Sequence, residues 1–290
     1  MNGKVFLVGA GPGDPELLTV KALRLLRTAD AVLHDDLVPP EILRLILPGA
    51  DVRNVGKRCG SKIIRQEEIN FLMVTLASAG RQVVRLKSGD PLIFGRAGEE
   101  IEALRRANIE YEIVPGVTAA LGAAAAAGIP LTHRRASAAV VLMAGHRASE
   151  NSDEDWSGLA GTESTFVVYM PGYDYGEIAD RLLTAGFAKE TPCAIISRAT
   201  TREQRIHRTI VSDLHRAPRL ASPTLLVVGE VVKFADHRLV DHGLVEQSLV
   251  EQSLAKEAGR PYSESAVGAA FARNAFSPAE GLRADEEPLA

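Results

Sequence analysis

The amino-acid sequence predicts an α/β fold made of two halves, the first built on a parallel sheet and the second on a mixed sheet. In the first half, short apolar runs alternate with amphipathic stretches, which is typical of parallel strands joined by helical crossovers. Apolar residues make up 46% of the 290 residues and aromatic residues only 5%, a composition that favours α/β over all-β architecture. In the second half, apolar runs follow one another with few long helices between them, which indicates a mixed sheet.

Five apolar runs in the first half predict strands, and helical patterns follow the first four. The predicted strands cover residues 5–9, 31–34, 52–55, 82–86 and 111–114. The predicted helices begin after the candidate caps Asp14 and Thr19, near Pro40, at residue 65 and at residue 96. In the third helix Ile69, Met73 and Leu76 share one face, and Gly80 ends the pattern.

Pro115 and Gly116 predict a hinge between the halves. We therefore divide the chain into an N-terminal α/β domain (1–114), a C-terminal α/β domain (115–240) and an acidic tail (241–290) that we expect to be disordered or partly helical. The second domain begins with an alanine-rich helix at 119–128. Its other predicted elements are strands at 138–145, 165–170, 193–197, 204–210 and 223–229, a crossover helix at 175–186 and an exposed polar loop at 146–158.

Charge and cysteine usage exclude several classes of protein. Residues 241–290 carry nine acids against four bases, whereas residues 1–240 carry 28 acids against 29 bases, so we expect no nucleic-acid partner. Cys59 and Cys193 form no C-x-x-C pattern, which predicts neither a disulfide framework nor a zinc site and fits a reducing cytoplasm. The longest apolar stretch, residues 116–131, is too short for a membrane span, so we expect no membrane partner.

The stretch VFLVGAGPGD, residues 5–14, combines a predicted strand with a glycine-rich turn. Gly9 and Gly11 fit the dinucleotide fingerprint G-x-G-x-x-G, but Asp14 stands at the position of the third glycine. An acid at a helix N-terminus repels a pyrophosphate, and no Gly-Lys-Ser/Thr follows as a P-loop requires. A neutral or cationic ligand suits this loop, and a tight turn without any ligand is the alternative.

A second glycine-bearing loop lies in RLKSGDPLIFGRAGEE, residues 85–100, again between a predicted strand and a predicted helix. In a parallel sheet the loops at the carboxyl ends of the strands lie along one edge. We therefore expect a ligand site at this edge, facing the second half of the chain. The loops that meet there are Gly11–Asp14, Asp35–Asp36, Gly56–Arg58 and Ser88–Asp90.

Six motifs in order give the chain a family resemblance over roughly residues 3–236: VGAGPGDPELLT, GKRCG, QEEIN, VVRLKSGDPLIFGRAGEE, VPGVTAALGAAAAAGIPLTHR and SPTLLVVGEVV. The chain resembles the uroporphyrinogen-III C-methyltransferases of the tetrapyrrole methyltransferase superfamily. This resemblance implies that S-adenosylmethionine binds in the cleft between two α/β domains of a cytoplasmic homodimer. It also implies two successive methyl transfers, to carbons C-2 and C-7 of uroporphyrinogen III, which give precorrin-2 through precorrin-1 in sirohaem and cobalamin biosynthesis.

The resemblance also implies residue roles. Asp35 would accept a proton and Lys57 would donate one, although the many carboxylates of the substrate favour a binding role for Lys57. The implied cofactor-binding residues are Pro12, Ser88, Gly89, Asp90, Ile93, Thr118, Ala119, Met170, Ala199 and Thr224. Substrate carboxylates would be bound by nearby basic residues, because such side chains pair with carboxylates. These residues are Arg58, Lys62, His133 and Arg134.

Five positions depart from the family pattern. His34 and Ala126 replace tyrosine, Asp36 replaces arginine, and Ser88 and Ala97 replace glycine. The consecutive residues at 34–36 do not predict a metal site, because neighbouring side chains on a strand end seldom converge. The departures leave two alternatives open: a methyltransferase for a later precorrin, and a protein that binds S-adenosylmethionine or a tetrapyrrole without catalysis.

Overall fold

A computed structural model of the protein describes residues 3–56, 64–145, 156, 159 and 163–235. The first sheet has five strands, and every pairing between neighbours is parallel. The strands lie in the order β3-β2-β4-β1-β5. They are β1 (Lys4–Gly9), β2 (Ala31–His34), β3 (Asp51–Asn54), β4 (Gln82–Lys87) and β5 (Glu110–Val114). The parallel sheet predicted for the first half is therefore confirmed.

Helices cover both faces of this sheet. They are α1 (Val20–Leu26), α2 (Pro40–Leu43), α3 (Gln66–Ser78) and α4 (Ala97–Arg106), with a 3₁₀ turn at Pro15–Leu17. Because side chains alternate along a strand, Val5 and Leu7 of β1 pack under α3 and α4, whereas Phe6 and Val8 pack under α1 and α2. The central strands are thus buried on both faces, as their continuous apolar runs predict.

The predicted caps at the start of the chain are present, but they belong to two elements. The Asp14 side chain accepts a hydrogen bond from Glu16 N at 2.8 Å and caps the 3₁₀ turn. The Thr19 side chain accepts one from Ala22 N at 3.1 Å and caps α1. The helix predicted near Pro40 is a single turn of four residues.

The second sheet is mixed, as predicted. Its order is β6-β7-β10-β8-β9, and only the β6–β7 pairing is parallel. Helix α5 packs on one face and α6 on the other. The elements are β6 (Ala139–Ala144), β7 (Ser164–Tyr169), β8 (Pro192–Ser197), β9 (Arg205–Ile210), β10 (Thr224–Val228), α5 (Ala119–Ala127) and α6 (Tyr175–Thr184).

Two features of the second half differ from the sequence prediction. The 3₁₀ helices at Val211–Arg216 and Glu230–Phe234 are not predicted by periodicity. Trp156, placed in an exposed loop, is only 4% exposed and packs in the core under α6. The tail at 241–290 lies outside the described residues, and the domain boundaries stay a prediction.

Among the described helices, none has the length and apolar character needed to cross a membrane.

Candidate functional site

The two glycine loops are joined at the carboxyl ends of β1 and β4. Gly11 N donates to Gly89 O at 3.1 Å, and Gly89 N donates to Gly11 O at 2.8 Å. A Cβ on Gly9 would lie 2.6 Å from Gly89 O and 2.5 Å from Gly116 N, so only glycine permits this approach of three backbone segments. The loops after β1, β4 and β5 therefore form one continuous rim, as the parallel topology predicts.

The Asp90 carboxylate joins two loops of the rim by hydrogen bonds. One oxygen of its carboxylate accepts from Leu92 N at 2.8 Å, and the other accepts from Gly116 N at 3.1 Å. These bonds connect the loop after β4 to the start of the second half. The left-handed backbone of this loop is at Gly89 (φ 68°), and Ser88 is not among the residues with positive φ. The serine at position 88 is therefore compatible with the backbone of this loop.

The second half of the chain packs directly against the first glycine loop. Asp14 N donates to Thr200 Oγ1 at 3.2 Å, across a separation of 186 residues. A Cβ on Gly13 would lie 2.8 Å from Thr201 Cγ2, and a Cβ on Gly122 of α5 would lie 2.6 Å from Pro12. This loop is thus held between α5 and the turn that follows β8.

Tyr169, the last residue of β7, bonds the start of α5 and packs against the loop that follows β4. Its hydroxyl shares a 2.7 Å hydrogen bond with Thr118 Oγ1 and accepts one from Ala120 N at 3.0 Å. Its ring lies 4.9 Å from the Phe94 ring, centroid to centroid, and Ile93 packs into the same core. Burial raises the pKa of the Tyr169 hydroxyl, so the group stays neutral and can hold the start of α5.

The second sheet contributes strand ends with an unusual backbone. Met170, Arg198 and Thr200 all have left-handed φ angles, 51°, 46° and 65°. Such angles are uncommon outside glycine and cluster at functional sites. Thr224 pairs with Ser197 in the antiparallel β8–β10 ladder, so it lies at the same sheet edge. Three of the predicted cofactor residues, Met170, Ala199 and Thr224, therefore share one edge, and it is the edge that meets the rim.

Asp35 follows β2 at the rim, with its side chain 29% exposed. Its carboxylate is paired with Arg85, and Lys87 Nζ lies 4.0 Å from its second oxygen. Both cations are only 2% exposed and both contact Glu100, which is fully buried. The cluster of Arg85, Lys87 and Glu100 was not predicted from the sequence.

Two pKa shifts describe the cluster. Burial opposes the charge of Arg85, but Asp35 and Glu100 outweigh it and raise the pKa of Arg85. Burial and the neighbouring Arg85 lower the pKa of Lys87. A sequence signal for these residues exists: two cations at positions i and i+2 of an otherwise apolar central strand point to the same covered face.

The loop that follows β3 contacts Asp36, the residue next to Asp35. Asn54 Nδ2 donates to Asp36 Oδ1 at 3.1 Å, and Gly56 N donates to Asn54 Oδ1 at 2.8 Å. A Cβ on Gly56 would lie 2.1 Å from Asp36 N, so the loops touch through glycine. The expected convergence at Gly56 is present. Three predicted residues that follow it lie outside the described residues, namely Lys57, Arg58 and Lys62.

His133 belongs to a separate turn after α5. Its ring stacks on Phe234 with centroids 4.1 Å apart, and its Nδ1 accepts from Arg135 N at 3.2 Å. His133 and Ser137 are joined by a backbone bridge that closes the turn. The roles predicted for His133 and Arg134 toward a substrate stay predictions.

An open groove of about 810 Å³ lies at the other edge of the parallel sheet. It is lined by residues 27–30, 47–51 and 79–81, which precede β2, β3 and β4. It is therefore a different place from the rim, which is formed by the carboxyl ends of these strands. Ligand sites of parallel α/β sheets lie at the carboxyl ends, which favours the rim.

Comparison with known proteins gives matches along most of the chain. Residues 4–215 match the family described as Tetrapyrrole (Corrin/Porphyrin) Methylases. Siroheme synthase 1 of Yersinia enterocolitica is 48% identical over 235 residues, which are 80% of this chain and 49% of that protein. Siroheme synthase 2 of Aeromonas hydrophila is 48% identical over 231 residues, which are 79% of this chain and 49% of that one. The chain thus spans about half the length of the curated relatives it matches.

Solved structures match over their whole length. A uroporphyrin-III C-methyltransferase from Thermus thermophilus is 43% identical with a TM-score of 0.69, covering 84% of this chain and 100% of that one. A Thermus thermophilus uroporphyrin-III C-methyl transferase complexed with S-adenyl homocysteine is 40% identical, with a TM-score of 0.70 over 80% of this chain and 99% of that one. A cobalt precorrin-4 methyltransferase is 32% identical, with a TM-score of 0.71 over 79% and 95%.

Proposed function

Because the chain belongs to the tetrapyrrole methylase family, we propose that it methylates uroporphyrinogen III at C-2 and C-7 with S-adenosylmethionine, giving precorrin-2 through precorrin-1. One observation carries the proposal. The two joined glycine loops and the Asp35 carboxylate lie on one sheet edge, in a chain that aligns with all of a Thermus uroporphyrin-III C-methyltransferase. The Thermus relative complexed with S-adenyl homocysteine supports the choice of cofactor.

The described residues of the rim fit a sulfonium cofactor. The loop from Gly9 to Asp14 has an acid where a pyrophosphate site needs free N–H groups, and that acid caps the turn behind it. Gly11 and Gly13 have φ angles of 74° and 152°, which glycine adopts readily because it has no Cβ. When bound, S-adenosylmethionine supplies an electrophilic methyl group on a positively charged sulfur. The residues proposed to hold it are Pro12, Ser88, Gly89, Asp90, Ile93, Thr118, Ala119, Met170, Ala199 and Thr224.

The main task of the chain in this reaction is to hold the reactants in line and to exclude water. The rim suits that task because the loops after β1 and β4 are joined by backbone hydrogen bonds, and the Asp90 carboxylate ties the loop after β5 to them. Thr200 bonds the first glycine loop from the second half, and Tyr169 holds the start of α5 against the second sheet. The site is thus preorganised on both sides.

We assign proton acceptance to Asp35. Methylation of a pyrrole carbon that already carries a substituent leaves a positively charged ring, which becomes neutral by losing a proton from another atom of the tetrapyrrole, and a carboxylate within reach accepts that proton. Arg85 holds one oxygen of Asp35 while part of the carboxylate faces solvent. We assign binding of the substrate carboxylates to basic side chains, with proton donation as the alternative role for the first of them. They are Lys57, Arg58, Lys62, His133 and Arg134.

A later precorrin is the second candidate substrate. Asp36 and Ala126 stand where the family pattern has arginine and tyrosine, and a cobalt precorrin-4 methyltransferase is 32% identical. Asp36 places a negative charge beside Asp35 where the family pattern has a positive one. This difference would change the charge that a substituent of the substrate ring meets. The proposed S-adenosylmethionine site is the same for this candidate substrate.

Anaerobic incubation with S-adenosylmethionine and freshly prepared uroporphyrinogen III tests the proposal, with mass spectrometry of the tetrapyrrole as the readout. The proposal predicts a gain of two methyl groups per molecule. No gain with uroporphyrinogen III but a gain with a later precorrin would favour the second candidate. No gain with either, despite cofactor binding, would mean a binding protein without catalysis. The homodimer and the cytoplasmic location belong to the same proposal, and sedimentation velocity tests the dimer.

A further inference from the structure

Glu100 of α4 lies at the centre of a buried charge cluster. Its Oε1 atom accepts from Arg85 Nε at 2.9 Å, from Lys87 Nζ at 3.0 Å and from Gln66 Nε2 at 3.3 Å. All four side chains are buried, and they come from β4, α4 and the first residue of α3. Its Oε2 atom is buried without a hydrogen-bond partner among the described residues. Three elements are thus joined at one carboxylate oxygen.

The cluster reaches the rim through Arg85. Its Nη2 atom donates to Asp35 Oδ1, and its Nη1 atom donates to the carbonyl oxygens of Leu33 and Leu86, each at 3.3 Å. Because the guanidinium is planar, these bonds fix its orientation between β2 and β4. Lys87 lies 4.0 Å from the other Asp35 oxygen. The Asp35 carboxylate is therefore oriented by groups that are themselves held by Glu100.

Stability alone gives no reason for this arrangement. Buried ion pairs are often no more stabilising than well-packed apolar side chains of similar volume, because desolvation opposes their attraction. The cluster balances two cations with two anions, and without Glu100 both cations would face Asp35 alone. The local backbone makes room for the Lys87 side chain, because a Cβ on Gly95 would lie 3.1 Å from Lys87 Cε. The placement beside Asp35 points to a role in orienting that carboxylate.

We propose that Glu100 is a positioning residue, which acts through Arg85 and Lys87 to fix the Asp35 carboxylate; this inference rests on the proposed function. Glu100 touches neither substrate nor cofactor. It increases the fraction of time during which the Asp35 carboxylate has the orientation needed to accept a proton. Loss of Glu100 therefore lowers the rate of turnover and leaves binding of both reactants largely unchanged.

The first test compares two glutamate substitutions on the same helix. Glu100→Gln keeps the volume of the side chain and removes its charge. Glu102→Gln is the matched control, because Glu102 is exposed and pairs with Arg106 only at 3.6 Å. We expect Glu100→Gln to lower kcat by about 10-fold or more, with KM values for both reactants within about threefold of the wild type. The control should stay within about twofold in each parameter.

A double-mutant cycle separates positioning from a merely structural role. In an Asp35→Asn background, Glu100→Gln should lower kcat by less than about twofold, because the group it positions has been removed. If the full loss recurs in that background, Glu100 acts independently of Asp35 and the inference is overturned. Should Glu100→Gln fail to fold by circular dichroism, Arg85→Lys enters the same cycle, because it keeps the charge and loses the fork that reaches Asp35.

The wild-type control distinguishes failure of the inference from failure of the proposed function. If the wild-type protein transfers no methyl group to uroporphyrinogen III or a later precorrin, the proposed function fails and the inference fails with it. If the wild type is active and Glu100→Gln has the same kcat, the inference alone fails. If Asp35→Asn is as active as the wild type, Asp35 needs no positioning, and the inference is again overturned.

Discussion

Replacing Tyr169 by phenylalanine tests how α5 is held against the second sheet. The substitution keeps the ring against Phe94 and removes a hydroxyl that bonds Thr118 Oγ1 at 2.7 Å and Ala120 N at 3.0 Å. Ala120 N is one of the first amides of α5 and has no partner within the helix. Ala120 is fully buried, so solvent does not replace the lost acceptor.

The expected loss of stability follows from these contacts. A buried donor left without its acceptor costs about 1–3 kcal/mol, and Thr118 is partly exposed and regains a bond to water. We therefore expect Tyr169→Phe to lower the free energy of unfolding by about 2 kcal/mol. For a folded region of this size, that loss corresponds to a decrease in Tm of about 4–8 °C.

Thermal unfolding followed by circular dichroism measures this effect. Tyr173→Phe is the matched control, because Tyr173 is 54% exposed and its hydroxyl bonds Ser222 Oγ at the surface. We expect the control to change the free energy of unfolding by less than about 0.5 kcal/mol. A Tyr169→Phe variant with the same Tm as the Tyr173→Phe control would refute the argument that this hydroxyl holds α5 to the second sheet.

Three other predictions concern packing and burial. Gly122→Ala should destabilise the protein by about 1–3 kcal/mol and weaken binding of S-adenosylhomocysteine in calorimetric titration, because its Cβ would meet Pro12 at 2.6 Å; unchanged stability and affinity would contradict it. Gly98→Ala should instead stabilise the protein by about 0.5–1 kcal/mol in urea unfolding, because a Cβ there meets nothing within 4 Å and alanine favours the helix; a loss of stability would count against this. In a Cys59→Ser background, Cys193 should not react with a disulfide reagent at pH 8 until the chain is unfolded, because burial raises the pKa of its thiol; rapid reaction of the native protein would disprove this.

The elements of the fold follow from local patterns in the sequence. The buried strands of both sheets are apolar runs, whereas β3 and β9 at the sheet edges carry polar residues. The parallel arrangement of the first sheet follows from the helices between its strands. The 3₁₀ helices at Val211–Arg216 and Glu230–Phe234 were missed because segments this short show no helical period. Trp156 was misplaced because a polar stretch predicts exposure, whereas a single large ring within it is buried under α6.

The candidate site was predicted in outline rather than in detail. Parallel topology alone predicts that Gly11, Asp35 and Gly89 share one sheet edge, and the structure places them there. The alternation in β4 indicates that Arg85 and Lys87 share a covered face, but it does not indicate which acidic side chains meet them there. Glu100 comes from a different element, and such long-range pairing has no local signature.

The central claim is that the joined glycine loops at the carboxyl edge of the parallel sheet hold the methyl donor. A crystal structure of the protein with S-adenosylhomocysteine tests this most directly. The account predicts density for the ligand between the loops at Gly9–Asp14 and Ser88–Asp90 on one side and the strand ends at Met170 and Ala199 on the other. Density in the groove at the opposite edge of the sheet, lined in part by residues 47–51, would contradict it.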